Sequence, residues 1–226
     1  MKPLKRLLKG KTVLITAGPT REPIDAVRYM SNRSSGKMGY ALASVARDNG
    51  ARVILITGPT LLPRPQGIKI IRIETASQML KAIIKNIRLA DILIMAAAVS
   101  DFTPVKKIKG KIKRTISSLT LKLKPFPDIL KIISRKTTTL KKELIKIGFA
   151  AETSSLISRA GKKLREKNLD VIIANDISRR DIGFESDYNQ VSILKKDGAI
   201  VRTGKLEKRK LAKKIYEVIL DKKKQR

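Results

Sequence analysis

An α/β fold, a Rossmann-like doubly wound and mostly parallel sheet, is predicted by three observations. Two β-branched runs, KTVLITAG (residues 11–18) and ARVILITGP (residues 51–59), both run into a Gly-Pro pair and read as buried strands. Between them, residues 37–49 carry Met38, Leu42, Val45 and Ala46 at helical spacing and close on Asn49-Gly50, a C-cap signal. Strand and helix patterns then keep alternating, as a parallel sheet covered on both faces requires. A right-handed crossover makes the first two strands parallel.

The later elements follow in order. The pattern predicts a helix over about 76–88, a strand DILIMAAAV, a Lys-rich loop, a strand at LTLKLK and a helix opening at PDIL. A strand through IKIGFAA, a helix over 155–167 and a strand DVIIAND complete the alternation. After Asp176 the pattern changes. VSIL, Lys195-Lys196-Asp197-Gly198 and AIVR read as a β-hairpin, followed by a terminal helix over about 206–220. The expected organisation is one domain over 1–226 with a hairpin appendage at about 184–205 and no internal repeat. Residues 103–118, TPVKKIKGKIKRTISS, resemble a mobile flap more than a linker.

Composition narrows the chemistry. The chain has 226 residues, 42% of them hydrophobic, enough for a sizeable core, and no Cys or His. Disulfides, zinc thiolates, thiol nucleophiles and histidine bases are therefore excluded. The longest apolar run, residues 92–99, falls far short of the roughly 20 residues of a membrane span, and the basic N-terminus leads into a strand rather than a signal-peptide core. A cytoplasmic protein is expected, without a membrane partner. The net charge of +32, from 51 Lys+Arg against 19 Asp+Glu, invites a basic α/β nucleic-acid-binding module as the alternative function. Against it, Trp is absent and aromatic residues make up only 4%, which leaves few stacking platforms, so nucleic acid is not the expected partner. A basic proteome, a lysine-rich thermophile-type surface and steering of polyanionic small substrates also account for the charge, part of which lies in the tail at Lys222, Lys223, Lys224 and Arg226.

Ligands of open α/β sheets bind beyond the carboxyl ends of the strands. Small and polar residues gather there: Ala17-Gly18-Pro19-Thr20-Arg21, Thr57-Gly58-Pro59, Ala98 through Asp101, Phe149 through Glu152, and Asn175-Asp176. SNRSSGKMGYALA (residues 31–43) stands at the same edge, just before a helix N-terminus, where free amides and the helix dipole favour anions. Its glycines also suit simple close packing and its serines simple capping. No G-x-G-x-x-G follows the first strand and no G-x-x-x-x-G-K-[ST] occurs, which argues against a standard dinucleotide or P-loop site. The flap cations Lys106, Lys107, Lys109, Lys111, Lys113 and Arg114 follow Asp101 and could fold over a triphosphate, or could be a solvated loop. Lys163 and Lys167, four apart on one helix, could reach the same place or face solvent.

TAGPTREPIDAVRYMSNRSSGKMGYALA, AAAVSDF, GKIK at 110–113, PDIL, GFAAET, KKLREKNLD and AND together closely resemble phosphopantothenate-cysteine ligase (phosphopantothenoylcysteine synthetase), the CTP-dependent family of coenzyme A biosynthesis. The pieces occur in family order from Lys11 to about Asn189. The resemblance implies a ligase joining 4'-phosphopantothenate to L-cysteine. The carboxylate attacks the α-phosphate of CTP to give an acyl-cytidylate and pyrophosphate, and the cysteine amine then displaces CMP. Such chemistry needs cations, Mg²⁺ and well-placed donors, but no enzymic nucleophile. Carried over by position, Asn32 matches the residue that contacts the acyl-cytidylate, its amide donating to the carbonyl oxygen as charge develops, with Arg28 a neighbour and Lys111 carried in by the flap onto phosphate. Asp101, Lys111, Pro127, Asp128, Ile129, Leu130, Phe149, Lys163 and Lys167 match CTP-binding positions. Met95, Ala96 and Ala97 match a stretch whose backbone lies near the nucleotide.

The resemblance further implies Mg²⁺ arriving with CTP as co-substrate, no metal site of the protein's own, no flavin, and a homodimer, with the hairpin at about 191–202 as the candidate contact. Two departures stand out. Phe126 occupies the position before PDI where many relatives have Asn. Bacterial members are commonly fused behind a flavin-dependent decarboxylase domain, whereas only MKPLKRLLKG precedes Lys11, so a stand-alone ligase, or a separately encoded phosphopantothenoylcysteine decarboxylase, is expected.

Overall fold

In the computed structural model the chain describes residues 3–114, 118–138, 142–152, 154–176, 182–183 and 185–221. Parts of the expected flap (115–117) and appendage (184), and the basic tail beyond Asp221, lie outside the described residues. In chain order the elements are α1 (Leu4–Leu8), β1 (Thr12–Ala17), β2 (Arg21–Pro23), β3 (Tyr29–Ser31), α2 (Lys37–Asp48), β4 (Arg52–Thr57), β5 (Lys69–Arg72) and α3 (Ala76–Asn86), which ends in a 3₁₀ turn. There follow β6 (Ile92–Met95), β7 (Phe102–Pro104), β8 (Leu123–Pro125), α4 (Ile129–Thr137), β9 (Ile145–Glu152), α5 (Leu156–Glu166) and β10 (Val171–Asp176). The last elements are β11 (Tyr188–Asn189), β12 (Val191–Lys195), β13 (Ile200–Arg202), β14 (Leu206–Glu207) and α6 (Lys208–Leu220).

Eight strands form the central sheet in the order β13-β12-β10-β9-β6-β1-β4-β5. The six from β10 to β5 are mutually parallel, and β12 and β13 add on antiparallel. Buried parallel strands read as unbroken apolar runs because both faces are covered. β1 is such a run, with Val13, Leu14, Ile15 and Ala17 fully buried. On one face Leu42, Val45 and Ala46 of α2 pack with Leu211, Ile215 and Tyr216 of α6. On the other, Met79 and Ile83 of α3, Ile133 of α4 and Ala160 and Leu164 of α5 close the core. Each fully buried Leu or Ile contributes roughly 1.5–3 kcal/mol. Tyr216 is fully buried, and its hydroxyl donates to Leu42 O at 3.1 Å, tying the two helices of that face together.

Local signals fix the helix ends. Thr75 Oγ1 accepts the Gln78 amide at 3.2 Å while Gln78 Oε1 accepts the Thr75 amide at 3.1 Å, a capping box at the start of α3. Asn49 closes α2, its Nδ2 donating to Val45 O at 2.8 Å.

One expectation is corrected, one is sharpened and one strand was missed. LTLKLK does not supply a sheet strand: only Leu123–Pro125 is extended, paired with β7 in a two-stranded ribbon. Its leucines alternate with Thr120, Lys122 and Lys124, and Leu119, Leu121 and Leu123 stay exposed. The expected hairpin forms as β12–β13, and it extends the central sheet: β12 pairs antiparallel with β10 and its VSIL stretch is buried. β5 was not anticipated, because its two Ile are flanked by Lys69 and Arg72, the charged pattern of an edge strand.

Candidate active site

The order of the parallel strands reverses between β1 and β6, so the crossovers leaving them diverge and open a crevice beyond their carboxyl ends. A bridge between Pro19 and Ala98 prolongs the pairing, with Ala98 N donating to Gly18 O at 3.0 Å and Thr20 N to Ala98 O at 3.2 Å. Above it lies a cleft of about 450 Å³. The SNRSSGKMG stretch enters this cleft through Asn32, Arg33, Ser34, Gly36, Lys37, Met38 and Gly39. Gly36 is the N-cap of α2, with φ 78° and no side-chain cap. A Cβ there would meet Thr60 Cγ2 at 2.7 Å and Gly18 Cα at 3.3 Å, so a capping side chain is excluded and the first-turn amides are left for an anion. Gly39 brings the same turn onto β1, because an added Cβ would stand 2.5 Å from Ala17 Cβ.

The wall built by α4 and α5 is charge-paired. Asp128 caps α4 by accepting Lys131 N at 3.1 Å and pairs with Lys167 Nζ at 2.9 Å. Burial opposes its ionisation, yet the Lys167 ammonium and the Lys131 amide outweigh burial and hold the carboxyl below its usual range. Lys163 Nζ lies 2.6 Å from Oε1 of buried Glu152. Both ammonium groups therefore enter the cleft on anchored stems. Phe126 lines the cleft too, and its amide donates to Asp101 O at 2.8 Å, a backbone bond that any residue but proline can make.

The opposite wall was anticipated only in part, at Lys37 and Asn175. Lys37 Nζ bonds Asp187 Oδ1 at 2.7 Å and Glu185 O at 3.1 Å. Lys208, only 5% exposed, donates to Gly183 O at 2.9 Å. Burial, then the like charge of Lys37, lowers its pKa to about 8, with Asp187 pulling the other way. Asn175 is 7% exposed and its Oδ1 has no hydrogen-bond partner among the described residues. An orphaned acceptor facing a cleft suits a ligand hydroxyl or amine. Lys208 opens a helix with an ordinary amphipathic pattern, so nothing local marked it. Asn175, by contrast, stands in a strand-end pair that the edge rule had already picked out.

Of the residues singled out from the sequence, the cleft gathers Asn32, Met95, Ala96, Ala97, Asp101, Pro127, Asp128, Ile129, Leu130, Phe149, Lys163 and Lys167. It does not include Arg28 or Lys111. Arg28 pairs with Asp25 at 2.6 Å, and the Lys111 segment is docked along residues 24–26 instead of over the cleft. The geometry at Asn32 also differs from expectation. Its Nδ2 donates to Ala98 O at 3.3 Å and Val99 O at 3.1 Å, so the amide braces the loop after β6, and donating to a substrate carbonyl means releasing one of those bonds.

The family model described as DNA/pantothenate metabolism flavoprotein C-terminal domain matches residues 8–222. The chain belongs to that family. Its relatives include the coenzyme A biosynthesis bifunctional protein CoaBC of Bacillus subtilis, 50% identical over 192 residues, covering 84% of this chain and 46% of that protein. The Escherichia coli protein of the same name is 42% identical over 195 residues, covering 84% of this chain and 47% of that one. The chain thus spans about half the length of the curated relatives it matches. Among solved structures, the C-terminal domain of a CoaBC protein superposes with TM-score 0.79 at 41% identity, covering 95% of this chain and 96% of that chain. A Cab2 mutant in complex with phosphopantothenate-cysteine shares the fold, with TM-score 0.76 at 21% identity, covering 97% of this chain and 91% of that chain. As a member of this family the chain has the Rossmann-like architecture its sequence predicts.

Proposed function

We propose that this chain is a CTP-dependent phosphopantothenate-cysteine ligase. The observation that carries the reading is the cleft at the strand-order reversal. It places the bare N-terminus of α2 between two lysine-bearing walls and, in a chain without Cys or His, offers positioning groups rather than a nucleophile. Acyl activation asks for that. The substrate carboxylate attacks the α-phosphorus, the bond to the β-phosphate breaks, and pyrophosphate leaves carrying negative charge that helix amides and ammonium groups stabilise. The cysteine amine then attacks the acyl carbon and the C–O bond to CMP breaks. Asn32 supports the loop over which the acyl group passes, and Lys163 and Lys167 hold the nucleotide side. No electron changes hands, so the reaction has no need of flavin.

Among the described residues no group of three or more His, Cys, Asp or Glu could hold a metal. Mg²⁺ fits instead as an ion carried on the triphosphate, with Asp101 at the cleft as the carboxylate nearest in chemistry to a ligand. When bound, it neutralises the phosphate oxygens and eases departure of pyrophosphate.

The reading includes a cytoplasmic homodimer, whose amide product a phosphopantothenoylcysteine decarboxylase would take as its substrate. Val27, Tyr29, Phe102, Val105, Leu121 and Leu123 are exposed on the β2–β3 and β7–β8 ribbons, an apolar surface that a second copy would cover. That surface adjoins Arg28 and Lys111, which the chain's own cleft lacks. It is favoured over the β12–β13 hairpin, whose apolar side chains are largely spent inside the sheet. The test is pyrophosphate release on mixing the protein with CTP, Mg²⁺ and 4'-phosphopantothenate, and amide formation on adding cysteine. Absence of both, with salt-sensitive RNA binding in their place, would support the nucleic-acid module instead.

A further inference from the structure

The segment carrying Lys111 is held by one buried carboxylate. The Asp25 side chain is fully buried, against 47% exposure for Arg28. Its Oδ1 accepts the amides of Val27 at 2.7 Å and Arg28 at 2.6 Å. Its Oδ2 accepts Arg28 Nη1 at 2.6 Å and the Ile112 amide at 3.1 Å, across 87 residues of sequence. Two more bonds complete the docking: Ala26 N donates to Gly110 O at 3.1 Å, and Ile108 N to Ile24 O at 3.0 Å. Lys111 is thereby bracketed, with the residue before it and the residue after it both tied to the 25–26 turn.

A local turn needs only the two bonds on Oδ1. Those on Oδ2 do something else: they tie the Arg28 guanidinium and the amide of Ile112, the residue after Lys111, to one atom, and so hold the backbone that carries Lys111 beside Arg28, the two cations the resemblance had assigned to the reaction. We propose that Asp25 is a positioning residue for a phosphorylated substrate. It locks the Arg28 guanidinium and the Lys111 backbone into a single cationic unit before substrate arrives. The inference rests on the ligase reading for the identity of the substrate, and on geometry alone for the lock. A cation on a free loop must be ordered when the anion binds, whereas here that ordering is done on folding. The carboxylate is required chemically. Four donors converge on two oxygens, and an amide in its place would turn one acceptor into a donor facing donors. Burial works against the charged form, but the bonds from Val27, Arg28 and Ile112 overcome it and hold the group far below the ordinary carboxylate range.

The experiment uses the full chain and two variants. Asp25→Asn removes the charge. Ile112→Pro removes the Ile112 donor and keeps the carboxylate, so the test survives if Asp25→Asn does not fold. In folded protein, trypsin cleavage after Lys109 and Lys113, mapped by mass spectrometry, should be about tenfold faster in both variants, with cleavage elsewhere unchanged. Unchanged cleavage at those two bonds overturns the lock. The kinetic arm is a double-mutant cycle. Asp25→Asn should lower kcat/KM for amide formation at least about tenfold in the native background, but less than about twofold in a chain already carrying Arg28→Gln and Lys111→Gln. Equal losses in both backgrounds mean Asp25 acts on the fold at large, which overturns the positioning role. A native chain that forms no amide but shows the predicted cleavage pattern sinks the ligase reading and leaves the lock standing.

Discussion

Replacing Lys208 by Met should make the protein more stable at neutral pH and should stop doing so in alkali. The ammonium sits 5% exposed at the start of α6, and burial followed by the Lys37 charge brings its pKa from 10.5 down to about 8, against the pull of Asp187. Because the folded state holds this proton less tightly, the unfolded chain binds more protons between about pH 8 and 10.5, and stability rises with pH through that window. At roughly 1.4 kcal/mol per pKa unit, the charged form carries roughly 3 kcal/mol of destabilisation below pH 8. Methionine has a similar length and no charge, but it gives up the 2.9 Å bond to Gly183 O, worth about 1 kcal/mol. The net expectation is about 2 kcal/mol of added stability at pH 7, turning to about 1 kcal/mol of loss near pH 10.5. Urea unfolding at both values measures it, since urea leaves charge interactions unscreened. A Met variant less stable at pH 7, or an identical difference at the two pH values, refutes the reasoning.

The other expectations are direct. Asn32→Asp removes two amide donations to Ala98 and Val99 and sets a carboxylate against their carbonyls. Nucleotide binding by calorimetry should change only a few fold while amide formation falls about 100-fold or more, and unchanged amide formation would remove Asn32 from the site. Lys111→Gln should raise the CTP concentration needed for half-maximal rate about tenfold, whereas unaltered CTP dependence would reduce the lysine to a solvated charge. Gly39→Ala should lower stability by about 1–2 kcal/mol in a thermal melt, overpacking against Ala17 outweighing the better helix propensity of alanine. A stabilised Gly39→Ala would show that α2 can retreat from β1.

Much of the sheet was legible because buried parallel strands write themselves as apolar runs, and β1, β4, β6 and β10 are such runs. What stayed hidden depends on the neighbours a residue acquires. β8 has alternation fit for a sheet, but its leucines find no covering layer, and β12 has a hairpin turn yet pairs inward with β10. The strand-end rule found the α4–α5 wall and the α2 turn of the cleft, because those residues follow strands directly. It could not find Lys208, which arrives from α6 more than 170 residues after Lys37. Arg28 was recognisable by resemblance alone, and Lys111 stood out from the sequence only as one of six flap cations; that both are docked at Asp25 was hidden, because no periodicity distinguishes this buried carboxylate inside TREPID.

The pairing of α2 with α6 also governs when the cleft can exist. Tyr216 reaches Leu42 across 174 residues, and Lys208 meets the loop beside Lys37 only once α6 has docked. During synthesis, therefore, the strands from β1 to β10 can assemble as they emerge, while the part of the sheet face and of α2 that α6 covers stays exposed until α6 leaves the ribosome. A nascent chain stalled before Lys208 would hold the nucleotide side of the cleft but lack Lys208 and the helix that supports the other wall.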